Sequence, residues 1–458
     1  MFIGREKELK ELNNRYYSNR KEFGVIYGRR RIGKSILLSK FLEDKDGILF
    51  QAKNDNEYGN LRSFSYVINK FLNYPNNYVF QGWEEAFDAI LDYAKDKRFV
   101  LAIDEYPYIL KQDHSFSSIL QEFVDKANDN LFILISGSDI SMLKNEIKDH
   151  NPPLYKRRTF EMPIMQLPYD EALTFFSNID DEIKCNYLSL FSTYPYYLSA
   201  INQNLSFDDN LKNLLFNQYG TFFTLPDQLL SNSTKVQDVY NSILLAIAHR
   251  KRTIKDISDY IHEESAKVAK YLSTLLDSEI VVKCETFMGN KKTNYYEISD
   301  TLLKFWYTFI FDNQERIKIN GEKVYQEKEE QIKQFLSHGF EEVCRLYIQY
   351  LNEKGLLSEV FLKPQTYKVE KSKLGRSIEL DGLSLSHNTL LIIECKYRSI
   401  PFDKTMLNHL IENTSVFPSK YQKEYYIFSK AGFTDDVKTL QDNTLHLIEF
   451  KELMNPNK

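Results

Sequence analysis

The stretch FGVIYGRRRIGKSILLSKFL, Phe23 to Leu42, changes character twice within twenty residues. Phe23 to Tyr27 is a short apolar run of the kind a buried parallel strand uses. Gly28 to Ser35 has the spacing Gly-x-x-x-x-Gly-Lys-Ser, and Ile36 to Leu42 reads as helix. Strand, glycine-bounded loop and helix in that order predict a phosphate-binding loop. The glycines let backbone N–H groups curl around phosphate oxygens, and the helix N-terminus adds partial positive charge. The cofactor-binding residues expected here are Gly28, Arg29, Arg30, Arg31, Ile32, Gly33, Lys34, Ser35 and Ile36. Lys34 is expected on the β- and γ-phosphates of ATP, and Ser35 on magnesium. Three readings of Arg29, Arg30 and Arg31 stay open: charge near the triphosphate, contact with a neighbouring surface, or plain solvation.

Working outward, FVLAIDEYPYIL (Phe99 to Leu110) is a second apolar strand that ends in two acids. Beside a phosphate loop, Asp104 is placed to hold magnesium through water. Glu105 is placed to polarise the attacking water as the ATPase's catalytic residue. A third strand, LFILISGSDISML, ends in Ser136-Gly137-Ser138, polar groups suited to sensing the γ-phosphate. In NPPLYKRRTFEMPI, Arg157 and Arg158 face phosphate from the same or a neighbouring subunit, or form a solvated basic pair.

The whole chain sets bounds on these readings. Its 458 residues lead to an expectation of about three domains. With a net charge of −5 it has no global basic field, so any nucleic-acid surface must be a local patch. Cys185, Cys284, Cys344 and Cys395 lie far apart, without zinc spacing or a disulfide framework. The start, MFIGREKELKEL, lacks the apolar run of a signal peptide, and no stretch approaches the ~18 apolar residues of a membrane helix. The expectation is a cytoplasmic protein with no membrane partner and with scope to form a homo-oligomer.

Residues 166–234 show apolar spacing near 3.6 and read as a helical lid. Then VQDVYNSILLAIAHR, TIKDISDYI and SAKVAKYLSTLLDSE read as three helices, and IVVKCETFMGNKKTNYYEIS as a two-stranded ribbon. That order describes a winged helix. Lys267 and Lys270 on the third helix, with Lys291 and Lys292 at the ribbon tip, would meet DNA phosphates, or the module is a scaffold. No arginine on the third helix stands ready to read guanine.

The last third reads as α-β-β-β-α-β. Glu379 and Asp381 are two apart on one strand and share a face; Glu394 and Lys396 do the same on the next. Asp381 and Glu394 are the expected ligands of a second magnesium or manganese ion. Lys396 is expected to orient water or stabilise charge at phosphorus, so Asp381, Glu394 and Lys396 form the candidate catalytic set. Glu341 or Glu342 would add a carboxylate from the preceding helix, and Cys395 packs into the core. A surface ion pair between Glu394 and Lys396 is the plainer alternative.

FIGREKELKEL, GRRRIGKS, FVLAIDEYPYI, ILISGSDISML, PLYKRRT and STYPYYL occur in the order of the archaeal-type P-loop ATPase family, which the first half of the chain resembles. The resemblance implies an AAA-related, STAND-like ATPase. In it Gly4 and Arg5 lie near the nucleotide base or phosphates, and Pro195 in the lid over the site. The family often has glycine where Lys156 stands. LGRSIELDGLSL and LLIIECKYRS resemble the PD-(D/E)xK nuclease superfamily and the domain of unknown function that follows many such ATPases, although its tryptophan pair is missing. The fold class expected is multidomain α/β. Residues 1–165 form a P-loop NTPase core, 166–234 a helical lid, 235–312 a winged-helix domain and 313–458 a restriction-endonuclease-like domain. The function implied is a magnesium-dependent ATPase coupled to a DNA nuclease. The alternatives are a STAND-type signalling or scaffolding ATPase with an inactive nuclease fold, and an ATP-regulated winged-helix DNA-binding protein.

Overall fold

The computed structural model describes residues 3–148, 152–176, 178–230, 234–285, 294–369, 372 and 374–457. They fall into two compact units, Met1–Leu167 and Pro168–Lys458.

In the first unit the chain runs α1 (Glu6–Tyr16), β1 (Glu22–Tyr27), α2 (Lys34–Leu42), β2 (Gly47–Gln51), α3 (Glu57–Leu72), α4 (Trp83–Tyr93) and β3 (Phe99–Asp104). It continues through α5 (Pro107–Gln112), α6 (Phe116–Lys126), β4 (Leu131–Gly137), α7 (Ile140–Lys148) and β5 (Phe160–Pro163). The sheet has the order β2-β3-β4-β1-β5, and every pair is parallel. Every residue of β1, β3 and β4 is buried, as expected of central strands covered by helices on both faces. β2 and β5 are the two edges. They are short and only partly buried, so neither announces itself as an apolar run. β4 separates β3 from β1, so the acid pair reaches the loop from one strand away. Behind the sheet, Trp83 meets Phe116 at 4.6 Å and Phe64 at 5.4 Å between ring centroids, in the edge-on and tilted arrangements that aromatic quadrupoles favour.

The second unit opens with short helices: α8 (Tyr169–Leu173), α9 (Asp181–Phe191), α10 (Pro195–Ser199), α11 (Phe207–Leu215) and α12 (Leu225–Leu229). Three more follow, α13 (Thr234–Ala248), α14 (Ile254–Ile261) and α15 (Ser265–Asp277). After them come an antiparallel ribbon, β6 (Val281–Glu285) and β7 (Asn294–Ile298), and then α16 (Thr301–Phe309). Lys291 and Lys292 lie outside the described residues. α17 (Gln314–Glu353) is helical throughout except at Asn320, where φ is −158°. α9 packs along α17 and against α16. The segments read from sequence as a lid, a helical module and a C-terminal domain therefore share one compact unit.

A second sheet follows α17: β8 (Gln365–Val369), β9 (Ile378–Leu385), β10 (Thr389–Lys396), α18 (Lys404–Thr414), β11 (Gln422–Ser429), α19 (Asp435–Lys438), β12 (Leu445–Glu449) and α20 (Phe450–Met454). Its order is β12-β11-β10-β9-β8. β10, β11 and β12 run parallel, and β8 and β9 pair antiparallel. The expected order of elements is present, with two differences. β8 begins only at Gln365, directly after Pro364, which has no N–H to give a ladder. β12 is a five-residue strand that completes the far edge.

Candidate functional site

The loop after β1 is shaped by what its neighbours leave room for. A Cβ on Gly28 would stand 2.3 Å from the Ile164 carbonyl oxygen just past β5, so only glycine lets the chain pass there. Gly33 has φ +101° and Arg31 φ +64°, and these left-handed turns fold the loop back onto the start of α2. Arg5, itself at φ +69° and buried, donates from Nη2 to the carbonyls of Ile32 (2.9 Å) and Met165 (2.6 Å). Its Nη1 pairs with Glu8 at 2.8 Å. Arg5 thus grips the outer side of the loop, and Gly4 (φ +74°) turns the chain into that grip.

Lys34 opens α2 with its side chain buried. Nζ donates to the Gly28 carbonyl at 2.8 Å and the Arg29 carbonyl at 3.1 Å. Burial lowers its pKa; Glu105 and Asp104 act against that, and the Arg30 charge acts with it. Ser35 Oγ donates to Asp104 Oδ2 at 2.5 Å. The fully buried Ser136 hydroxyl and the Glu105 N–H both donate to Asp104 Oδ1. Ser136, read as a candidate phosphate sensor, is therefore spent on orienting Asp104. Glu105 turns through φ +54°, and its Oε2 accepts from Ser138 Oγ at 3.0 Å. The donors fit the ligands expected. An ammonium has three protons, and the groups it meets here are backbone carbonyls. A hydroxyl and one carboxylate are what magnesium takes from protein when phosphates and water fill the rest of its shell.

Of the other expected residues, Arg29 is buried, Ile32 is buried, and the Ile36 side chain is 61 % exposed. Arg157 chelates Asp125 (Nε–Oδ1 2.9 Å), and Arg158 pairs with Glu161 at 2.6 Å. Lys156 has φ +61°, the backbone region that explains why glycine suits this position. Tyr108 was not singled out by sequence reasoning. Its hydroxyl accepts from Arg30 Nη2 at 3.1 Å, and its place in DEYPY, just past the acid pair, was the available signal.

The second cluster lies where two strands part. The β9–β10 ladder ends with the pair Gly382 and Ile393. Beyond it the Asp381 carboxylate accepts the Cys395 N–H at 2.7 Å, filling the place of a ladder bond. Glu394 and Lys396 form an ion pair. From α17, Arg345 donates to the Asp381 carbonyl at 2.6 Å and pairs with Glu342 at 2.9 Å, while Lys363 holds the other Glu342 oxygen at 2.9 Å. Glu342 is thereby held by two cations, while Glu341, 3.7 Å from Arg345, is the helix carboxylate that feels Asp381. Burial, then Asp381, pushes Glu394 and Glu341 each up to about 7. Asp381 is raised by burial. Burial works against the Lys396 ammonium, but Glu394 overcomes it and its pKa is raised. Among the described residues no three His, Cys, Asp or Glu side chains are gathered closely enough to hold a metal by themselves. The carboxylates sense one another without forming a closed shell.

Glu379 does not join this group. It is exposed and pairs with Lys368 at 2.7 Å. Cys395 is buried against Cys344, with its thiol raised by burial. Lys267 pairs with Glu263 at 2.7 Å, and Lys270 is exposed. No helix among the described residues is long and apolar enough to cross a membrane.

Comparison with known proteins bears on both clusters. Residues 2–187 match the family model of an ATPase domain predominantly from Archaea. Residues 306–408, which include Asp381, Glu394 and Lys396, match that of archaeal and bacterial proteins of unknown function. The chain is 28% identical over 405 residues to an uncharacterized protein of Methanocaldococcus jannaschii, covering 87% of this chain and 88% of that one. An uncharacterized ATP-binding protein of the same organism is 44% identical over 45 residues, 10% of this chain and 76% of that one. In fold, the chain is similar to the Walker-type ATPase of Pyrococcus abyssi, with a TM-score of 0.54 and 19% identity over 67% of this chain and 96% of that one.

Proposed function

We propose that the archaeal-type ATPase domain binds ATP with magnesium and hydrolyses it, and that this cycle governs a metal-dependent DNA nuclease site in the second unit. The observation that carries the first part is Lys34, a buried cation that donates to two backbone carbonyls. A triphosphate supplies the negative charge such a site needs. Lys34 binds the β- and γ-phosphates, and Ser35 and Asp104 hold magnesium, which screens phosphate charge. Glu105 takes the proton of the attacking water, with Ser138 holding its carboxylate.

The second part rests on the fork between β9 and β10. Asp381, Glu394 and Glu341 are half-buried with raised pKa values, and Asp381 pushes up the other two, an arrangement that a divalent cation relieves. Their oxygen donors suit magnesium or manganese. Lys396 stabilises charge at the scissile phosphorus, and residues 235–312 act as a winged helix that makes non-specific contacts to DNA through Lys267 and Lys270. A second reading, a scaffold with an inactive nuclease fold, is favoured by the closed pairs Glu394–Lys396 and Asp381–Cys395 N–H.

A nicking assay on several DNA forms with magnesium or manganese, with and without ATP, separates the two. Nicking lost in Asp381→Ala and Lys396→Ala, with ATP turnover kept, supports the nuclease. ATP turnover with no DNA form cut supports the scaffold.

A further inference from the structure

The three consecutive arginines of the loop have different fates. Arg29 is buried. Arg31 occupies the left-handed turn and is exposed. Arg30 is half-buried, and its Nη2 donates to Tyr108 Oη at 3.1 Å. Tyr108 is itself tied to the acid pair, since its N–H donates to the Glu105 carbonyl at 2.9 Å. Through Tyr108, then, the Arg30 guanidinium is held on the Glu105 side of the loop, close enough for its charge to be felt at Lys34. A guanidinium next to a buried ammonium is repelled by it. The Glu105 and Asp104 carboxylates offset that repulsion, and an anion with several oxygens bound at the loop would be met by both cations.

We infer that Arg30 is a γ-phosphate-binding residue supplied by this chain's own loop, and that Tyr108 is its positioning residue. The inference rests on the ATP-site reading above. In the reaction, the water oxygen forms a bond to the γ-phosphorus while the bond from that phosphorus to the β–γ bridging oxygen breaks. The water proton goes to Glu105, and ADP and inorganic phosphate result. Charge builds on the bridging and γ-oxygens as this happens, and Arg30 offers forked N–H donors to them. The β-phosphate is left to Lys34 and the loop N–H groups, so ADP makes no use of Arg30.

The test measures equilibrium binding of ADP and of a non-hydrolysable ATP analogue, together with single-turnover hydrolysis, on the full chain. Arg30→Ala should slow turnover by about 10³-fold, as removal of a transition-state arginine does elsewhere. It should also erase any preference for the ATP analogue over ADP while leaving ADP affinity within about threefold. Arg30→Lys should restore part of the preference, because it keeps the charge but not the fork. Tyr108→Phe should slow turnover by about 10-fold without changing ADP affinity. Wild-type turnover and analogue preference in Arg30→Ala would overturn the inference, as would an equal loss of affinity for both nucleotides, which marks a residue that merely folds the loop. Lys34→Ala is the control. If it still binds both nucleotides, the ATP-site reading itself fails; if it does not, and Arg30→Ala behaves as wild type, only Arg30 is removed. Should turnover be too slow to follow, the ratio of the two affinities decides.

Discussion

Lys34 in the first unit and Lys396 in the second both follow or end buried strands, yet their surroundings differ in kind. Lys34 donates to two carbonyl dipoles, so its charge remains available to an incoming anion. Lys396 is closed onto Glu394, with Asp381 and Glu341 close behind, so its charge is offset and the excess is negative. The first site is built from backbone and waits for phosphate. The second is built from side chains and carries more carboxylates than cations around Glu394. The same contrast runs through the supports. Around Asp104 the ligand-facing carboxylate is oriented by hydroxyls and an N–H. Around Asp381 the carboxylate takes the Cys395 N–H, and a charged group, Arg345, holds the backbone carbonyl.

The comparison can be broken in three ways, in descending order of effect. Lys34→Ala should lower ATP turnover by more than about 10³-fold, whereas Asp381→Ala should leave it unchanged; a phosphate-release assay on both variants decides whether the chemistry is divided between the units as argued. Two glycines provide the second test. Gly28→Ala drives a Cβ against the Ile164 carbonyl at 2.3 Å, a backbone atom that has nowhere to go, and should cost about 3 kcal/mol. Gly382→Ala meets Ile393 Cδ1 at 2.7 Å, a side-chain end that can rotate, and its Cβ at 3.0 Å, which must give by a few tenths of an ångström, and should cost about 1 kcal/mol. Denaturant titrations of the full chain compare them, and equal costs would mean that the loop is no more tightly framed than the strand fork.

The smallest effect is a pH dependence confined to the second unit. Burial alone would raise Glu342, but Arg345 and Lys363 overcome it and bring it down to about 2 from 4.5. A depressed carboxylate stabilises the fold above its unfolded value and loses that contribution as pH falls through the folded one. Stability should therefore drop between pH 4.5 and 2, and Glu342→Gln should flatten that part of the denaturant-midpoint profile. An unchanged slope would remove Glu342 as the anchor of Arg345.

How far each site could be read in advance follows from the same contrast. The loop residues and the acid pair were legible because their chemistry is local: glycine spacing, a helix start and an acid at a strand end specify a backbone shape within a few residues. The edge strands β2 and β5 were not, since short, half-buried segments carry little apolar signal. In the second site the strand period places Glu379 and Asp381 on one face, but only Asp381 sits at the fork; Glu379 reaches the rim and Lys368. The choice between Glu341 and Glu342 lay beyond spacing altogether. Adjacent helix residues point about 100° apart, and only the packing of α17 on the sheet shows that Lys363 pairs with Glu342 while Arg345 lies within ion-pair distance of both.

The sequence by itself determined a phosphate loop between a buried strand and a helix, an acid pair one strand on, and a later sheet bearing Asp, then Glu-x-Lys. Each of these is written in neighbours along the chain, where covalent geometry limits the choices. The tertiary structure alone decided that Ser136 serves Asp104, that Arg5 grips the loop from outside, that Arg30 turns toward Tyr108 while Arg31 turns to solvent, and that Arg345 rather than Glu379 completes the surroundings of Asp381. Those partners are from about 30 to 160 residues apart. Which of two equally charged side chains reaches a given oxygen depends on how the elements pack, and packing is not local.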